Sequence, residues 1–211
     1  MVALHGCLRG RVPIRPSKDA DILVNLRVMS QGIAAVSRAL VRDGYQLIER
    51  SVGGQGHSFA RGEVRFDVLA PDGLGSRAQL VTLDNFRTVT VPGGTQALHR
   101  TLPVEVRTRS FAGIVPLPNL LGAILIKIRA IDVDDEPRAQ RSDVAFLLSL
   151  VENPDELARQ CSATERGWLR KHPYFSDPRD ACWTGIIGAE DGAIVYRRLT
   201  AGPSSSSSSS S

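Results

Sequence analysis

Apolar and polar positions alternate strictly through Asp19–Leu26. Ala20, Ile22, Val24 and Leu26 share one side, and Asp19, Asp21, Leu23 and Asn25 share the other. A second alternation runs through Val64–Leu69, with Val64, Phe66 and Val68 against Arg65, Asp67 and Leu69. Both segments predict strands with carboxylates on one face and an apolar opposite face. Between them Ile33, Val36, Ala39 and Leu40 recur at helical spacing, and Asp43-Gly44 is placed as the helix stop. Tyr45–Glu49 then predicts a further short strand. The order strand, helix, strand, strand predicts a mixed sheet with a helix on its apolar side.

Further along, Thr88–Val91 and Val104–Thr108 predict strands on either side of a turn at Pro92-Gly93-Gly94. After Pro116 the spacing becomes helical. Pro118–Ile131 predicts a strongly apolar helix, Val144–Val151 a second, and Asp155–Arg170 a third with a Pro154 start. A small strand is expected at Ala193–Arg197. The whole predicts an α/β (α+β) fold: a mixed-sheet core over 1–115 with N-terminal helix packing, a helical C-terminal region over 116–200, and a Ser-rich tail over 201–211 that has nothing to pack.

Composition narrows the class. At 42% apolar and 23% charged residues the chain can bury a substantial core. The longest apolar stretch, Leu120–Ile126, stops at Lys127 and is too short to cross a bilayer, so no membrane partner is expected. Cys7, Cys161 and Cys182 are an odd, widely spaced set with no CxxC pair, which fits a reducing cytoplasm. The net charge of +4 is mild, but residues 1–61 carry nine Arg/Lys against four Asp/Glu, an excess suited to phosphates.

The carboxylates carry the sharpest chemistry. Asp19 and Asp21, two apart on a strand, project from one face about 6–7 Å apart along the chain. If the Val64–Leu69 strand lies alongside, Asp67 joins them. Three such groups repel one another unless cations sit between them, and hard oxygen donors prefer Mg²⁺ or Mn²⁺. A site of that kind suits phosphoryl or nucleotidyl transfer. The competing reading is that the aspartates decorate a solvated strand face.

Lys127 interrupts a helix that is apolar nearly all round, so its ammonium must reach solvent or meet an anion. A triphosphate and a carboxylate of the protein are equally open as that anion. Asp143 falls at the expected start of the next helix, where an acid is favoured by the free N–H groups. His5, His57, His99 and His172 are scattered, with no HExxH spacing, and no GxSxG elbow occurs. Zinc, serine and cysteine chemistry are therefore set aside. Trp168, Trp183, Tyr174 and Phe175 are expected to form core.

Arg15-Pro16-Ser17-Lys18-Asp19-Ala20-Asp21-Ile22 resembles the RxSxDxD motif of the AbiEii/MenT group of nucleotidyltransferase-like toxins, members of the DNA polymerase β superfamily. Ala3-Leu4-His5-Gly6 resembles the end of that group's first helix, and Val64–Leu69 the strand bearing the third superfamily carboxylate. Lys127 and Asp143, on successive helices, match positions where the group carries a lysine and an aspartate needed for activity. The likeness spans about residues 1–151. The superfamily's Gly-Gly or Gly-Ser turn is expected ahead of the first helix, and this sequence begins within that helix, so either the true start lies upstream or the turn has been lost.

The resemblance implies a Mg²⁺-dependent (or Mn²⁺-dependent) enzyme that moves a nucleoside monophosphate from an NTP to an acceptor, most simply the tRNA 3′ end. It would act as the toxin of a toxin–antitoxin pair with a cognate antitoxin as partner. On this reading Asp19, Asp21 and Asp67 hold metal. Ser17 and Lys18 lie beside the triphosphate, Lys127 grips a phosphate, and Asp143 orients the site or contacts the nucleotide. Arg9, Arg11 and Arg15 would hold the acceptor RNA. Two alternatives stand beside it: a catalytically inactive nucleotidyltransferase-like binding protein, for which the missing turn speaks, and transfer to a small-molecule or protein hydroxyl.

Overall fold

The computed structural model describes residues 1–13, 19–48, 54–76, 78–109 and 112–201. It is a mixed α/β structure with a mixed sheet, in keeping with an α+β fold. Two compact units are present. One comprises Met1 and Arg15–Gly122, the other Val2–Ile14 and Ala123–Ser211.

In the first unit β1 (Asp19–Leu23) is followed by α2 (Gly32–Arg42), β2 (Gln46–Leu47), β3 (Ser58–Arg61) and β4 (Val64–Pro71). The strand order is β1-β4-β3-β2, and β5 (Thr90–Val91) pairs with the end of β4. β1 and β5 run parallel to β4, while β3 is antiparallel to it. The apolar alternation explains the layering: Ile22, Val24, Leu26, Phe66 and Val68 pack with Ile33, Val36 and Leu40 of α2. α2 ends as its sequence directs. Gly44 has φ +86, Gly44 N donates to Val41 O, and Tyr45 N donates to Leu40 O, the paired bonds of a glycine-terminated helix. Beyond β5, α3 (Gly94–His99) leads into an antiparallel ribbon of β6 (Thr101–Arg107) and β7 (Ala112–Pro118). The turn expected at Pro92-Gly93-Gly94 is the entry to α3, with Gly93 in the left-handed region.

The second unit is helical. α1 (Val2–Cys7) packs on α5 (Arg138–Leu148), and a side chain at Gly6 would strike Phe146. α4 (Leu120–Ile131) starts two residues later than its apolar pattern suggests, because Pro118 still pairs with Thr101 and Asn119 Oδ1 accepts from Gly122 N. The helix expected over Asp155–Arg170 is two, α6 (Pro154–Gln160) and α7 (Ala163–Arg170). Ser162 and Glu165 form a reciprocal capping box that restarts the chain after the extended Cys161. The strand expected at Ala193–Arg197 lies inside α8 (Ala189–Ala201), whose Ala193, Val195, Tyr196 and Leu199 are buried at helical spacing. Phe175 stands 6.3 Å from the Trp183 ring and 5.7 Å from that of Tyr196, a packed aromatic core. Among the described residues no helix is long and apolar enough to cross a membrane.

His172, unremarkable in sequence, is buried in this second unit. Its Nε2 lies 3.2 Å from Asp132 Oδ1, and its Nδ1 lies 3.1 Å from the Tyr174 hydroxyl. Burial pulls its pKa below the ordinary value more than Asp132 raises it, and Arg141 and Lys171 add to the lowering. Between that depressed value and about 6.5 the unfolded chain binds a proton that the folded chain refuses. The stability contributed by neutral His172 is therefore complete above about pH 6.5 and declines as pH falls below it. Unfolding followed by Trp168 and Trp183 fluorescence should shift to lower temperature between neutral and mildly acidic pH. The His172→Gln variant should lose that part of the slope, and an unchanged slope would rule the linkage out.

Candidate functional site

β1 lies directly beside β4, with Asp19 opposite Arg65, Asp21 opposite Asp67 and Leu23 opposite Leu69. Side chains alternate along each strand, so the three aspartates and Arg65 share the face turned away from α2. Asp19 and Asp21 are exposed and Asp67 is half-buried. Neighbouring strands stand about 4.8 Å apart, and like charges directly opposite each other are destabilising. Arg65 supplies a counter-charge: its Nε donates to Asp67 Oδ1 at 3.2 Å, and its Nη2 donates to Ser58 Oγ at 3.0 Å. Ser58 is itself the β3 partner of Asp67, so the guanidinium bridges two strands around one carboxylate.

The donor chemistry at Asp21 and Asp67 fits a hard divalent cation, since both are carboxylates in register on one face. Among the described residues no group of three His, Cys, Asp or Glu is arranged to hold a metal ion. Asp67 instead has Arg65 as its cation. Arg65 had no assigned role in the sequence; its place two residues before Asp67, on the same strand face, is the signal that it could reach that carboxylate.

The second cluster lies wholly in the second unit. Lys127 Nζ lies 2.9 Å from Asp143 Oδ2 and donates to Gln140 Oε1 at 2.9 Å. Gln140 Nε2 donates in turn to Asp134 Oδ2 at 3.0 Å. A carboxylate only accepts, so Asp134 fixes which end of the amide faces it and leaves the carbonyl for the ammonium. An ammonium has three donors, and two are held here. Of the two anions open for Lys127, the structure supplies the protein carboxylate.

Asp143 does not occupy a first helical turn. α5 begins at Arg138, five residues earlier, so Asp143 sits mid-helix and buried, where helix-end electrostatics have faded. Its partner Lys127 is the reason a carboxylate is tolerated there. Gln140 was not singled out in the sequence. It stands one turn before Asp143 on the same helix face, which is the only pattern that could have marked it.

Arg15, Ser17 and Lys18 lie outside the described residues. Arg9 and Arg11 belong to the second unit, where Arg9 Nη1 donates to His5 O at 3.4 Å and Arg11 Nη2 to Ile187 O at 2.6 Å. Both guanidiniums thus have backbone partners. Comparison with family models, with curated proteins and with solved structures finds no match to this chain.

The side chains of Lys127 and Asp143 are only 18% and 11% exposed, so each charge depends on the other. Removing one partner of a fully buried pair costs about 3–5 kcal/mol; partial exposure here reduces that to about 2–3 kcal/mol for Lys127→Met. The double variant Lys127→Met with Asp143→Leu should recover more than half of the loss in urea unfolding. Additive losses would show that the two residues do not act as a pair.

Proposed function

We propose that the protein is a divalent-metal-dependent nucleotidyltransferase. The observation that carries the reading is the register of Asp21 against Asp67, with Asp19 two positions earlier on the same face. β propensity disfavours aspartate in strands, and facing carboxylates cost stability, so the pattern calls for a cation-dependent task. The resemblance of Arg15–Ile22, Val64–Leu69, Lys127 and Asp143 to nucleotidyltransferase-like toxins supplies the reaction class.

In this reading Asp19, Asp21 and Asp67 hold Mg²⁺ or Mn²⁺, which when bound offsets the charge of the triphosphate and favours ionisation of the acceptor hydroxyl. The acceptor hydroxyl gives its proton to solvent water as its oxygen forms a bond to the α-phosphorus, the bond from that phosphorus to the bridging oxygen breaks, and pyrophosphate leaves with its electron pair. For Asp67 to hold the cation, Arg65 would have to give up its contact with that carboxylate. By the resemblance Lys127 would grip a phosphate; within the second unit Gln140 and Asp143 hold its ammonium in one orientation. By the resemblance Ser17 and Lys18 would lie beside the triphosphate. The acceptor is the tRNA 3′ end, and a cognate antitoxin restrains the activity. A non-catalytic binding protein is the second reading, favoured by the grip of Arg65 on Asp67.

Incubation with Mg²⁺, each labelled NTP and total tRNA should place label in RNA. Asp19→Ala and Asp21→Ala should each lower incorporation about a hundredfold or more. Gln140→Ala should lower kcat about tenfold with thermal stability close to that of the parent. Absence of transfer to tRNA, small-molecule and protein acceptors alike would leave the binding reading standing alone.

A further inference from the structure

In the first unit, the chain leaving β1 and the end of α3 border an open pocket of about 190 Å³ lined by Asn25, Arg27, Pro71, Thr95, Leu98 and His99. Among the described residues no carboxylate lines it. Arg27 Nη1 lies 3.3 Å from His99 Nε2, and both side chains are exposed. A guanidinium only donates, so in this contact His99 Nε2 is the acceptor, which leaves the proton of the neutral ring on Nδ1 as a donor. The acid closest in sequence to the lining residue Pro71 is already committed. Asp72 Oδ2 accepts from Gly93 N at 2.8 Å, and Asp72 Oδ1 accepts from Thr95 N at 3.0 Å.

A third donor faces the same place. Asn25 Oδ1 accepts from Arg27 N at 3.2 Å, which fixes the amide and leaves its Nδ2 without a partner among the described residues. The cavity also lies just past the carboxyl ends of the parallel strands β1 and β4, where open α/β sheets seat their ligands. It is separate from the aspartate face, which begins at the amino end of β1. Of the basic residues of 1–61, Arg27 lines this pocket, whereas Arg9 and Arg11 are engaged with backbone carbonyls.

We propose that this cavity binds a phosphate group, with Arg27 giving a forked pair of N–H donors and His99 and Asn25 giving one each. Free phosphate and the phosphodiester of an RNA backbone share the chemistry. The proposal does not depend on nucleotidyl transfer. The test follows the His99 ring and Arg27 Nε–H resonances of the full chain by NMR while inorganic phosphate is added at constant ionic strength, with chloride as control. Saturable shifts at both residues are expected, weakened about tenfold or more in Arg27→Ala. Because Arg27 is exposed, that variant should keep its fold, which the remaining spectrum reports. A short single-stranded RNA that binds through the same two residues and more tightly than phosphate would identify the diester as the source; equal affinity would identify the free ion. Resonances unmoved through tens of millimolar phosphate, an equal response to chloride, or undiminished binding by Arg27→Ala would each overturn the site.

Discussion

The parallel register of β1 on β4 is the constraint on which the first unit turns. Shifting it by one residue would bring Asp19 and Asp21 to the apolar side, against α2, and expose Ile22 and Val24. The greasy side therefore enforces the placement of the charged side. Burial of Val24, Phe59, Val68 and Ala70 holds Asp21 opposite Asp67 at close range, a pairing that electrostatics alone would oppose. Arg65 shows how the fold tolerates it, with one guanidinium tied to a carboxylate and to a buried serine on the next strand.

The second unit solves a comparable problem in another way. α4 is apolar nearly all round and would bury an ammonium at Lys127, so α5 brings an acid and an amide to the same point. Burial raises the worth of both contacts, since little water competes for them. Asp134 extends the chain of hydrogen bonds and makes the amide unambiguous. Order of this kind at a lone cation suits either a structural pin or a preset donor for an anionic ligand.

β1, β4 and α2 were legible because each carries one clear period, whereas β3 (Ser58–Arg61) is too short to show one and β7 (Ala112–Pro118) carries a glycine and two prolines, so neither was expected. Boundaries set by side-chain bonding were less so. The break between α6 and α7 was written in Ser162 and Glu165, yet the surrounding residues keep helical spacing and mask it. Ala193–Arg197 contains Ile194, Val195 and Tyr196, good strand residues that packing within α8 overrides. The start of α5 was hidden because Arg138–Ser142 is polar and has no apolar stripe to announce it.

The sequence by itself determined which residues face water and which face grease, and so which aspartates could ever share a surface. It also determined that Lys127 needs an anion, because charge and hydropathy are properties of a residue and its near neighbours. Only the tertiary structure decided that Asp21 meets Asp67, that Asp143 answers Lys127 with Gln140 beside it, and that Arg27 finds His99. Those partners are separated by 13 to 72 positions along the chain. No local period reports a contact across such distances; it arises when burial of the apolar faces brings remote segments into a single register.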